Sequence, residues 1–136
     1  MREKIKVIQT IHLALTLGVT LAYFLLAEIA SIEELFILPE INNSNIYIGL
    51  IPIVAYIFSN ILFKNSIRKV DKKLKIEANL GAYQTATLIR WAILEGAAFF
   101  IIMNKPDFIL FGVVLIIYLA LLRPTENGIT NDLKNL

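Results

Sequence analysis

Two charged side chains, Arg90 and Glu95, stand inside the apolar stretch Tyr83 to Asn104, YQTATLIRWAILEGAAFFIIMN. The stretch is long enough to cross a bilayer as a helix. A charge at bilayer depth costs about 2.5–3.5 kcal/mol on insertion scales, so each must snorkel, lose its charge or find protein neighbours. A carboxyl held out of water is a natural site for carrying a proton or binding a cation, and Glu95 offers that chemistry. The plainer reading is a Glu that hydrogen-bonds a neighbouring hydroxyl and holds helices together. Arg90 has a stem long enough to reach headgroup phosphates. The two are five residues apart, about 140° around an ideal helix, so they miss the i,i+4 spacing and each needs a partner on another helix or another subunit.

The elements that must position them follow from composition. The chain has 136 residues, 57% of them hydrophobic and 18% charged, with a mean hydropathy of +0.70. That is too apolar for an ordinary soluble domain. Apolar runs recur at residues 7–27, 46–63, 84–103 and 106–122. They predict a single domain over residues 1–136, all-α, a transmembrane four-helix bundle. With no Cys and one His, a disulfide framework, a thiolate metal site and a His-based metal site within one chain are excluded, and no cofactor is expected. No phosphate-cradling glycine loop, nucleophile elbow or carboxylate pair is present, so an enzyme is not expected.

Charge sets the expected orientation. The N-terminus carries three of the thirteen Lys and Arg, the 64–75 loop six and the tail two, while Lys105 stands alone in the opposite turn and Arg90 lies within the apolar layer. The positive-inside rule then puts both termini in the cytoplasm. Nothing aromatic is interleaved with Lys64, Arg68, Lys69, Lys72, Lys73 and Lys75, so anionic lipid explains that loop and nucleic acid does not. The 28–45 segment holds Glu28, Glu33, Glu34 and Glu40 without a cation. It is expected on the outer face, with Ser31 and Glu34 capping a short helix that Pro39 ends. Asn42-Asn43-Ser44 matches a three-residue glycosylation pattern common by chance. Pro52 offers a kink and a free carbonyl. Pro106 suits a first helical position with Asp107 at the positive end of the dipole. Ile129, Leu133 and Leu136 predict an amphipathic end at the interface.

Helical spacing then sorts the faces. In the first run Gln9, His12, Thr16, Thr20 and Tyr23 form a polar stripe, and Thr10, Ala14, Gly18 and Ala22 a nearly opposite stripe of small residues. In the third, Gly81, Thr85, Ala92 and Gly96 make a small face with Glu95 beside it, which predicts that Glu95 points among the helices. At about 1.5 Å per residue, His12 and Arg90 lie roughly 8–9 Å from the cytoplasmic boundary, and Tyr56, Asn60 and Tyr118 about 4–11 Å. A polar layer in the inner third is expected, with His12 packed by Tyr56 or Gln9. Glu95 is expected near mid-membrane, level with Thr16 and Thr20.

At Tyr83, Ala86, Ile89, Arg90, Ala92, Glu95, Gly96, Ala97 and Arg123-Pro124-Thr125, with the His12 and Gly18 region, the chain resembles a family of small uncharacterised bacterial membrane proteins with four predicted spans. The resemblance covers most of the chain. It implies that Arg90 and Glu95 belong to a recurring motif, and the expected setting is the bacterial inner membrane, crossed several times. The rotor proteolipid of rotary ATPases also has a mid-membrane carboxylate, but its glycine-rich first helix is missing here. The leading expectation is a homo-oligomer or an accessory subunit of a membrane complex, in contact with lipid. The alternative is a small proton- or cation-coupled carrier or channel that uses Glu95 with His12, Arg90, Thr16 and Thr20.

Overall fold

A computed structural model describes residues 2–26, 41–68, 76–104 and 108–134. Those residues form five α-helices and no strand: α1 (Arg2–Leu26), α2 (Ile46–Ile67), α3 (Ile76–Asn104), α4 (Ile109–Leu121) and α5 (Glu126–Lys134). Three of them are long and apolar enough to cross a membrane, over Glu3–Leu26, Ile46–Ile67 and Ala78–Asn104. α4, at 13 residues, spans only about 20 Å of a hydrocarbon layer about 30 Å thick. It makes a fourth candidate span only when joined to α5, from which it is bent by 88°.

Helices and apolar runs do not share their ends. α1 begins at Arg2, α2 continues to Ile67 and α3 starts at Ile76, each one or more turns beyond the apolar segment expected from sequence. Backbone hydrogen bonding carries a helix on through charged residues, whereas hydropathy stops at the first of them. α2 is a single helix through Pro52. The expected Ser31–Pro39 helix, the Lys105–Asp107 turn, most of the basic loop and Leu136 lie outside the described residues.

α3 is the hub, packing against α1, α2, α4 and α5. Its buried positions Leu80, Tyr83, Thr87, Arg90, Trp91, Leu94, Ala98 and Ile101 recur at steps of three and four. Such a stripe winds with the helix and meets several neighbours. α1 turns Ile5, Ile8, His12, Val19 and Tyr23 inward. α2 contributes Ile48, Ala55, Ser59, Phe63 and Ile67, and α4 contributes Ile109, Gly112, Leu115 and Leu119. α5 buries Ile129 and Leu133, so the amphipathic tail read from sequence lies with its apolar side against the other helices.

The tightest crossing is at Gly112. A Cβ at that position would run into the ring and hydroxyl of Tyr23. Tyr23 in turn donates its hydroxyl proton to the carbonyl of Ala98, at 2.5 Å. One α1 side chain thus passes over a bare stretch of α4 to reach α3, tying three helices at one level. Gly112→Ala is expected to lower the stability of the detergent-solubilised protein by about 1–3 kcal/mol, the usual cost of overpacking. Thermal unfolding followed by circular dichroism checks it. Gly81→Ala, where a Cβ meets nothing within 4 Å, should stay within about 1 kcal/mol of wild type, and Tyr23→Leu should recover part of the Gly112→Ala loss.

Candidate functional site

The polar residues of the packed helices gather where α2 ends, α3 begins, α4 ends and α5 folds back. Asn60 donates to the Tyr118 hydroxyl at 3.0 Å and to the Tyr56 carbonyl at 2.8 Å. The Tyr56 and Tyr118 rings lie 5.1 Å apart, tilted. Three of the residues picked out from sequence, on two helices, thus form one cluster.

Arg90 is only 8% exposed. Its guanidinium carbon lies 3.8 Å from the centre of the Phe63 ring, over the negative face of the π system, a contact that grows stronger as water is excluded. Phe63 packs edge-on against Tyr83, with ring centres 5.9 Å apart. Tyr83 donates to a carboxylate oxygen of Asp132 at 3.0 Å. Asp132, Tyr83 and Tyr118 all lie within electrostatic reach of Arg90. The arginine is therefore stabilised by an aromatic face on α2 and by a carboxylate that α5 brings back, held in place by Tyr83. Its Nε–H has no acceptor among the described residues.

His12, 4% exposed, lies on the other side. Its ring packs on Trp91 at 4.9 Å between centres, and its Nε2 is 2.7 Å from the Leu119 carbonyl. A carbonyl only accepts, so Nε2 carries the proton and Nδ1 is left with the lone pair in the neutral ring. Gln9, one turn earlier, donates to the Pro124 carbonyl at 2.8 Å. These two bonds fasten α1 to Leu119, near the end of α4, and to Pro124 just beyond it. The sequence reading placed His12 beside Tyr56 or Gln9. Its actual neighbours are Trp91 and a backbone oxygen of α4.

Glu95, Thr16 and Thr20 stay outside this cluster. Thr16 and Thr20 spend their hydroxyl protons on the carbonyls of His12 and Thr16, four residues back on their own helix. Glu95 is half-buried, next to exposed Gly96 and one turn from exposed Ala92, and makes no hydrogen bond or ion pair with any described residue. Gly81, Thr85, Ala92 and Gly96 form an exposed face of α3, and Thr10, Ala14 and Gly18 are exposed on α1. The expectation that these small faces close around Glu95 does not describe the chain's own packing.

Sequence reasoning passed over Phe63, Asp132 and the role of Tyr83. For Asp132 a signal existed: it lies three residues after Ile129 and next to Leu133, an acid flanking the apolar stripe of a short helix. Phe63 carried none, because an aromatic at a helix end reads as packing until the opposing helix is known.

Comparison of the chain with family models, with curated proteins and with solved structures returns no match. The functional reading rests on the geometry alone.

A double-mutant cycle with Phe63→Leu and Arg90→Met, read by thermal unfolding in detergent, should give a coupling of about 0.5–2 kcal/mol, the range of a largely desolvated cation–π contact. Asp132→Asn keeps an acceptor for Tyr83 but removes the charge. It should destabilise the protein containing Arg90 more than the Arg90→Met variant.

Proposed function

We propose that the chain is a subunit of the bacterial inner membrane, a four-helix bundle with both termini cytoplasmic. It works by self-association, or by docking onto another membrane subunit, through the small-residue face of α3. One observation carries the reading. Glu95 is half-buried at the edge of that face without a protein partner, and a Cβ at Gly81 or Gly96 would meet nothing within 4 Å. In lipid, helices associate by close backbone approach at small residues and by interhelical hydrogen bonds. The face provides both, and it leaves a carboxyl that is costly to expose to acyl chains. Clustering Lys and Arg at one end of the helices supports the orientation.

The carrier reading rests on the same carboxyl and has less behind it. Thr16 and Thr20 give their protons to their own helix, and neither bonds to Glu95.

Cross-linking in native membranes should trap an oligomer or a specific heterologous pair. Gly96→Leu should abolish it, and Glu95→Leu should weaken association by about 1 kcal/mol, the scale of one interhelical hydrogen bond in a bilayer. Glu95→Gln, which can still bond, should leave assembly nearly intact. Recovery of monomer alone sinks the proposal, and loss of pH-dependent ion flux on Glu95→Gln with assembly unchanged supports the carrier instead.

A further inference from the structure

Between α1 and the end of α4 lies an open groove of about 540 Å³, within the range of small-ligand sites. Lys6 lines it from α1 and Arg123 from the end of α4. Both are exposed, and neither forms an ion pair with a described residue. The other polar groups on the groove are already engaged. Gln9 donates to the Pro124 carbonyl and His12 is bonded to the Leu119 carbonyl. Thr10 and Thr16 give their protons to Lys6 and His12 carbonyls. What remains is two uncommitted cations, one on α1 and one just past α4, with the apolar Leu13 and Ala120 lining the groove beside them.

We infer that this groove binds a phosphate group through Lys6 and Arg123. Guanidinium offers a fork of donors and ammonium a point charge, the pair of groups that phosphates commonly take. The apolar lining suits the start of an acyl chain, so the first source is a phospholipid whose phosphate charge is not offset by a headgroup amine. A free phosphate or phosphate monoester is the soluble source with the same chemistry. This site is separate from the Glu95 face and does not depend on self-association.

The test is native mass spectrometry of the full chain in neutral detergent, titrated with phosphatidylglycerol, with phosphatidylcholine and with inorganic phosphate. At about 1 kcal/mol for each cation, wild type should prefer the anionic lipid by roughly tenfold to thirtyfold. Lys6→Gln with Arg123→Gln should erase that preference. Ala120→Trp, which fills the groove without changing charge, should erase it too. Lys4→Gln, at an exposed cation on α1 off the groove, should keep it. Circular dichroism on each variant confirms folding. Binding of inorganic phosphate that both groove variants lose, without lipid retention, supports the site and assigns the soluble source. Equal loss in Lys4→Gln, an unchanged preference in Ala120→Trp, or no preference for any phosphate species overturns the inference.

Discussion

A cation cannot be left bare in an apolar interior, and the polar end of this protein is arranged around that constraint. Arg90 sits among packed helices, where a carbon-only environment would make its charge prohibitively expensive. The arrangement answers with a ring face at 3.8 Å, a carboxylate on α5 within electrostatic reach and a tyrosine that positions that carboxylate. Each comes from a different helix, so the charge acts as a registration mark: α2, α3 and α5 are all aligned by the need to shelter one side chain.

The same economy of polar groups runs through α1. Its polar side chains either return protons to their own helix, as Thr10, Thr16 and Thr20 do, or reach across to backbone carbonyls at and just beyond the end of α4, as Gln9 and His12 do. A buried carbonyl without a donor is a cost until one arrives. The bonds that hold α1 to α4 are therefore made by side chains that would be poor lipid-facing residues.

How much of this could be read beforehand depends on the range of the physics involved. That three helices are long and apolar enough to span followed from bilayer thickness, whereas the fourth run, read as a span of its own over 106–122, forms the 13-residue α4. Tyr56, Asn60 and Tyr118 could be set at one depth because rise per residue is fixed. Whether a small face is covered is another matter: Gly81, Thr85, Ala92 and Gly96 read identically whether the covering helix belongs to the same chain or to another. Asp132 carried a local signal beside the apolar stripe of its helix, but its partner could not be read, since its place against Tyr83 depends on an 88° turn between α4 and α5 that no local pattern in Arg123-Pro124-Thr125 dictates.

The clasp between the first helix and the end of the fourth joins residues 107 and 115 positions apart. Contacts so far apart in sequence reward the chain only after the entropy of closing a long loop has been met. The seating of α1 therefore depends on α4 and on the turn after it, and changes at Leu119 or Pro124 bear on the first helix as much as on their own.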